Sequence, residues 1–375
     1  MKGAEMARNY YINQSGRLRR KDNTLYFETE ISENTETSEP KLDIDEQDEG
    51  IGVSQPSLGR ASAPEDGKVA VKRIPIPIED IDALYLFGEI DLNTKLLNFL
   101  AQKQIPVHIF NYYGYYSGTY YPREYLISGF LVVNQVQHYE RNSKRILIAK
   151  EFVSAAADNM LKNLQYYTNR EKDCSQQISA IKTIAENIPT ANSVSELMGM
   201  EGNIRETYYG ALNTILELET PFEGRKRNPP SNPINALISF GNSMMYTTCL
   251  KEIYRTQLDP AISFLHEPGE RRFSLSLDLA EIFKPIIVDR LIFRLFNRQQ
   301  LQESKHFDTG MEGCYLNEEG RKIFIKEFND QLETTIEHRN LKRKVSYQHL
   351  IRLECYKLIK HLTEMEPYQA FRIWW

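Results

Sequence analysis

Cysteine is scarce and scattered. The chain has four in 375 residues, Cys174, Cys249, Cys314 and Cys355, and no two of them form a CxxC pair. That excludes a zinc ribbon or a disulfide framework and fits a reducing compartment. Long apolar runs are also missing. The most apolar helix candidate, around residues 275–296, contains Asp278, Glu281, Lys284, Asp289, Arg290 and Arg294. It cannot be a membrane span, which needs roughly 18 or more nearly uncharged residues. No apolar signal region opens the sequence, so a cytoplasmic protein with no membrane partner is expected. The sequence has no P-loop, GxSxG or HExxH signature, which removes the commonest nucleotide, serine-esterase and zinc-protease chemistries.

Positive net charge is lacking too: the total is −5. The deficit is local. Residues 28–68 hold twelve Asp and Glu against Lys41, Arg60 and Lys68, a net of −9 that leaves the other residues at +4. One acidic insertion therefore masks a mildly basic body able to meet phosphates. Hydrophobic residues at 41% and charged residues at 26% describe a globular chain with a sizeable core. The length suggests two domains.

The patterning implies an α+β fold with a β-rich N-terminal domain (residues 1–121) and a larger all-α C-terminal domain (122–375). Residues 9–28 read as short strands around turns at Gln14-Ser15-Gly16 and Asp22-Asn23. Thr29 to Val69, rich in Glu, Asp, Ser, Thr and Pro, reads as a mobile excursion. Extended structure resumes at Ile74. Buried strands are expected over Ile81 to Phe87 and Pro106 to Phe110, with a helix over Asn93 to Lys103 between them. The six tyrosines of residues 111–121 form either a base-stacking platform or, more simply, a Gly-turned hairpin packed on a sheet. Helical periodicity then predicts helices over Tyr125–Gln135, Ser143–Tyr167, Glu171–Asn187, Val194–Leu218, Pro233–Gln257 and Asp278–Arg298. A basic helix over Glu337–His361 carries Arg339, Lys342, Arg343, Lys344 and Arg352.

Three segments hold residues that could do chemistry. Glu201 has Gly202 beside it, which leaves its carboxylate lightly shielded. Arg205 follows one turn later, so Glu201 is either functional or simply ion-paired to Arg205. His266 ends an apolar run before Pro268-Gly269, either as a metal ligand or as an imidazole at a helix C-terminus. Asp278, Glu281 and Lys284 fall at intervals of three on one helical face. Charges there are costly to bury unless they pair or bind something, and a Glu281–Lys284 ion pair is the simple alternative. Two carboxylates and an imidazole make a hard O/N donor set suited to Mg or Mn. Such a site activates phosphodiesters, with Lys284 neutralising phosphate charge.

Taken in order, these segments resemble the CRISPR-associated protein one (Cas-one) family, the adaptation nuclease-integrases. The resemblance lies in Glu201-Gly202 followed by Arg205, Tyr208 and Tyr209, and in Pro230-Ser-Asn-Pro233-Ile-Asn235-Ala-Leu-Ile-Ser-Phe240. It continues in Phe264-Leu-His266-Glu and Asp278-Leu-Ala-Glu281-Ile-Phe-Lys284-Pro, with similar stretches after Ser15 and from Ser346 to Leu362. It implies metal ligands at Glu201, His266 and Glu281, with Asp278 standing behind a ligand or touching DNA. It implies a Mg- or Mn-dependent DNA endonuclease and integrase that inserts captured DNA into a repeat array by 3′-hydroxyl attack. The implied assembly is a homodimer through the β-domain, two dimers being bridged by a small second adaptation protein. Duplex DNA is expected to meet Arg205, Arg225, Lys226, Arg227, Arg271 and Arg272. The rival reading is a non-catalytic nucleic-acid-binding scaffold that uses basic helix faces, the stretch over Glu337–His361 among them.

Overall fold

The computed structural model describes residues 8–30, 71–216, 218, 221–226, 229–269, 273–310 and 313–374. They form two compact units, one reaching Tyr112 and resuming over 117–123, the other made of 113–116 and the chain from Glu124 onward.

The first unit contains two four-stranded sheets. In one, β1 (Arg8–Ile12), β5 (Ile81–Leu86) and β7 (Val107–Phe110) run parallel, and β8 (Tyr116–Tyr120) lies beside β7. β5 is buried along its length, as its apolar run IDALYL requires of a central strand. The other sheet has the order β4 (Val71–Pro77), β3 (Thr24–Glu30), β2 (Gly16–Lys21), β6 (Ile90–Asp91). β2 and β3 close on Asp22-Asn23, with Lys21 opposite Thr24 and Asp22 at φ 56°. A short polar side chain there takes the left-handed conformation a two-residue hairpin loop needs. The alternating pattern of Leu18, Leu25, Phe27 and Ile76 forms a core with Leu84, Leu96, Leu100 and Val107. α1 (Thr94–Gln102) begins at Asn93, whose side chain accepts from the Leu96 amide at 2.9 Å. Thr29 and Glu30 belong to β3, so the stretch expected to be mobile does not begin at Thr29. The rest of the stretch expected to be mobile lies outside the described residues.

Helices dominate the second unit: α2 (Gly129–Glu140), α3 (Asn142–Thr168), α4 (Ser175–Ala185), α5 (Val194–Tyr209), α6 (Leu212–Ile215), α7 (Pro233–Tyr254), α8 (Ser274–Lys284), α9 (Arg290–Asn297), α10 (Glu303–His306), α11 (Glu318–Glu333) and α12 (Tyr347–Leu362). Two short antiparallel ribbons interrupt them, β9 (Phe307–Gly310) with β10 (Gly313–Leu316) and β11 (Thr335–Glu337) with β12 (Lys344–Ser346). The second ribbon corrects the reading of a basic helix over Glu337–His361. Arg339, Lys342 and Arg343 lie between β11 and β12, and the helix starts only at Tyr347, where Ser346 caps it. Arg339 sits 5.0 Å over Trp374 and Arg352 is paired with Glu252, contacts that a freely solvated helix face would not make. Of the six tyrosines, Tyr113 packs on Tyr315 and Tyr116 on Tyr246, while Tyr112 is exposed. Gly114, at φ 79°, makes the turn among them.

α7 is the centre of this unit and is buried on nearly every face. Asn232 caps it and Pro233 occupies its first turn, where a missing N–H costs nothing. The long apolar run expected as one helix over Asp278–Arg298 is broken by Pro285. Proline cannot donate to the preceding turn, and a π-helical turn (Pro285–Asp289) follows before α9. Gly241 of α7 meets that turn: a Cβ there would lie 2.5 Å from Val288 Cγ1 and 3.1 Å from Phe324. Both neighbours are fully buried and cannot retreat. Gly241→Ala should therefore lose about 1–3 kcal/mol to overpacking, only partly offset by about 1 kcal/mol of helix propensity. A lowered midpoint in chemical denaturation is the expected result, and an unchanged or raised one would show that α7 and the π-turn are not in tight contact.

Candidate metal centre

Glu201 sits in the middle of α5. Ser193 starts that helix by accepting from the Glu196 amide at 3.1 Å, and the Glu196 carboxylate accepts from the Asn192 amide at 2.9 Å. This reciprocal cap fixes the register of the helix. One turn beyond Glu201, Arg205 Nε donates to Glu201 Oε1 at 2.7 Å, and its Nη2 donates to Oε2 of Glu281 on α8. Lys284 Nζ donates to the other Glu281 oxygen at 2.6 Å. The side chains of all four are between 7 and 15% exposed, so water screens them little. Both simple alternatives, the Glu201–Arg205 and Glu281–Lys284 ion pairs, are thus present, joined through Arg205 into one buried network.

Burial pushes the Glu201 carboxyl upward, but the charge and hydrogen bond of Arg205, with the fields of Lys284 and His266, outweigh it and hold Glu201 below its ordinary range. Burial likewise opposes the charge on Arg205, yet Glu201 and Tyr209 keep it firmly protonated. Asp289, on the π-turn, goes the other way. Burial raises it to about 6, and Arg205, Lys284 and a hydrogen bond to Tyr208 offset this only in part.

His266 is placed by Asp278. This fully buried carboxylate accepts from the amides of Phe264, Leu265 and His266 at 2.7, 3.0 and 2.9 Å, and from His266 Nδ1 at 2.8 Å. An ionised carboxylate only accepts, so Nδ1 carries the hydrogen and Nε2 is left as the open lone pair. Asp278 is thereby excluded from touching DNA; it builds the turn that presents the imidazole. His266 is not a helix-terminal imidazole, because the residues around it form bends rather than a helix.

Among the described residues, no three His, Cys, Asp or Glu side chains converge closely enough to cage an ion as they stand. The donor set nonetheless fits a hard divalent cation. Among the described residues Glu201 Oε2 and His266 Nε2 have no hydrogen-bond partner, and both oxygens of Glu281 are held by cations that an incoming ion can displace or share.

Two of the arginines expected to reach DNA have partners within the fold. Arg205 is spent on two carboxylates. Arg225 donates to Asn235 Oδ1 at 3.0 Å, to Ser239 Oγ at 2.9 Å and to the Lys226 carbonyl at 2.7 Å, so it fastens its loop to α7. Asn235 completes the clasp by accepting from the Lys226 amide and donating to the Gly224 carbonyl. Lys226 remains exposed. Arg227, Arg271 and Arg272 lie outside the described residues.

Residues 10–330 match the family model described as CRISPR associated protein Cas1. The chain belongs to the Cas1 family. It is similar to the CRISPR-associated endonuclease Cas1 of Fusobacterium nucleatum, 45% identical over 100% of this chain and 98% of that one. A solved Cas1 protein from Thermotoga maritima superposes with a TM-score of 0.78 at 41% identity, covering 97% of this chain and 99% of that one. A casposase solved bound to integration product shares the fold, with a TM-score of 0.74 at 21% identity over 98% and 96% of the two chains. No helix among the described residues is long and apolar enough to cross a membrane. In this member of the Cas1 family, sequence reasoning missed Asp289 and Asn163. A lone acid inside the run Ile286-Ile-Val-Asp-Arg-Leu-Ile was the available signal for the first. Asn163, which donates to the Tyr208 hydroxyl at 3.0 Å and the Pro285 carbonyl at 2.7 Å, gave none.

The raised Asp289 pKa has a stability consequence. The folded state binds the Asp289 proton more tightly than the unfolded chain, so this group's contribution falls as pH rises from about 4 to about 6 and is level above that. A rise of this size is worth on the order of 3 kcal/mol. Asp289→Asn should therefore stabilise the protein relative to the parent at pH 8 and lose that advantage at pH 4. Parallel pH–stability curves for the two proteins would contradict the assignment.

Proposed function

We propose that this chain is a Mg- or Mn-dependent DNA endonuclease and integrase of CRISPR adaptation. The observation that supports the reading is that Glu201 and Glu281 meet in one buried network with Arg205 and Lys284, while His266, held by Asp278 of the same helix as Glu281, lies near enough for its field to act on Glu201. The endonuclease names of its relatives support it, as does the integration product in the casposase that shares its fold.

Glu201, His266 and Glu281 would hold the ion, which supplies Lewis-acid activation of the phosphodiester and of the attacking hydroxyl. Asp278 keeps the imidazole in the tautomer whose Nε2 is available. Lys284 and Arg205 place fixed positive charge where the pentavalent phosphate gathers negative charge. In integration the 3′-hydroxyl oxygen of the incoming strand bonds to phosphorus and releases its proton. The bond to the target strand's 3′ oxygen breaks, and that oxygen leaves to take up a proton as a new 3′-hydroxyl. Water in place of the hydroxyl gives cleavage. Duplex DNA, a second copy of this chain and a small second adaptation protein that bridges two dimers are the partners of this reading.

A non-catalytic scaffold is the competing reading, favoured by one observation: the carboxylates are already neutralised by Arg205 and Lys284. The two readings part on a single variant. His266→Ala should still fold, because three backbone amides go on holding Asp278, with a loss of about 1–3 kcal/mol for the missing hydrogen bond. It should lose Mn-dependent nicking of supercoiled DNA and integration of a short duplex by at least about a hundredfold, the usual cost of losing a directly acting group. Parental activity in His266→Ala, or no Mn-dependent product from the parent, would leave the scaffold reading standing.

A further inference from the structure

The helical unit has a second cation-rich feature away from the carboxylates. A half-open cleft of about 740 Å³ lies between the C-terminal end of α3 and α9. Its walls carry Lys162, Arg170, Arg290, Arg294 and Arg298 and no Asp or Glu. Arg294 is paired with Glu327 at 2.9 Å. The other four cations have no carboxylate partner among the described residues: Arg170 stacks on Tyr166 at 4.3 Å, and Arg290 uses its Nε on Asn163 at 2.7 Å. Cations gathered in one concavity with no counter-charge repel one another, and an anion relieves that repulsion.

The same cleft is aromatic. Tyr166 is 47% exposed, and Tyr167 stands edge-on to it with ring centroids 5.1 Å apart. Tyr167 in turn rests edge-on against the buried Phe293 at 5.5 Å, which fixes the platform from below. The exposed Tyr166 ring is a stacking face, as the Arg170 guanidinium over it shows, and a planar base can stack there too. The cleft is large enough for one nucleotide with solvent to spare.

We propose that this cleft is a nucleotide-binding site, distinct from the carboxylate network, that takes phosphate on Arg290 and Arg298 and a base on the Tyr166 ring, which Tyr167 braces edge-on. Arg290 suits the phosphate role because its Nε bond to Asn163 fixes the guanidinium plane while its terminal nitrogens stay available. The ligand is a free nucleotide or a nucleotide at the end of a single strand, since the two present the same chemistry.

The test is calorimetric titration of the full chain with dAMP, with a 5′-phosphorylated tetrathymidylate and with inorganic phosphate. The parent is compared with Arg290→Ala/Arg298→Ala, with Tyr166→Ala and with His266→Ala. Binding of dAMP or the oligonucleotide should weaken at least about tenfold in the double arginine variant and several-fold in Tyr166→Ala. It should be unchanged in His266→Ala, which separates this site from the proposed metal centre. Stronger binding of dAMP assigns a free nucleotide, and stronger binding of the oligonucleotide assigns a strand end; both uphold the site. Phosphate binding as tightly as dAMP would overturn the role of the aromatic platform. Equal binding by the parent and the arginine variant, or loss of binding in His266→Ala alone, would overturn the site altogether.

Discussion

One guanidinium joins the parts of the helical unit that matter most. Arg205 on α5 reaches Glu201 on its own helix and Glu281 on α8, so two helices far apart in sequence are tied at the point where their carboxylates meet. Two carboxylates brought this close in a poorly screened interior would repel each other and push one toward protonation. Arg205 and Lys284 prevent that, and Glu201 stays ionised as a result. Removing Arg205 would leave uncompensated buried charge, a loss of the 3–5 kcal/mol class. The bridge therefore stabilises the fold and at the same time keeps hard anionic donors ready.

The surrounding elements serve that arrangement. The cap at Ser193 fixes the register of α5, and Asp278 folds the 264–266 turn and holds His266 in a defined tautomer. Pro285 ends α8 one residue after Lys284, and the π-turn it starts brings Asp289 under Tyr208. Asn163, which touches no carboxylate, holds both Tyr208 and the Pro285 carbonyl and so fastens α3 to the back of the network. It also contacts Arg290, which lines the cleft proposed as a second site. A single buried amide thus stands between the two cation-rich features of this unit.

Much of this was legible in the sequence. The short N-terminal strands, the helix from Asn93 and the spacing of Asp278, Glu281 and Lys284 follow from local patterning, which is why those elements and the α+β class could be read directly. What escaped depends on contacts distant along the chain. That Arg205 and Arg225 also fasten elements of the fold is decided by Glu281, Asn235 and Ser239, and nothing near Arg205 or Arg225 in sequence announces those partners. The β11–β12 ribbon was hidden because Lys and Arg residues suit a helix surface and a hairpin end equally. The break at Pro285 was visible as a proline, but the surrounding apolar run argued for continuity.

In the proposed function Glu201, His266 and Glu281 hold one divalent cation despite the arginine bridge between two of them. Electron paramagnetic resonance of Mn(II), titrated into the parent and into Glu201→Gln, tests this without reference to any reaction. Glutamine keeps the shape and a hydrogen-bonding oxygen but removes the charge that an ion needs. The expected result is a bound Mn(II) population in the parent that falls by at least about tenfold in affinity in the variant. A parent that binds no Mn(II), or a variant that binds it as tightly, would contradict the claim and leave the network a purely structural ion-pair cluster.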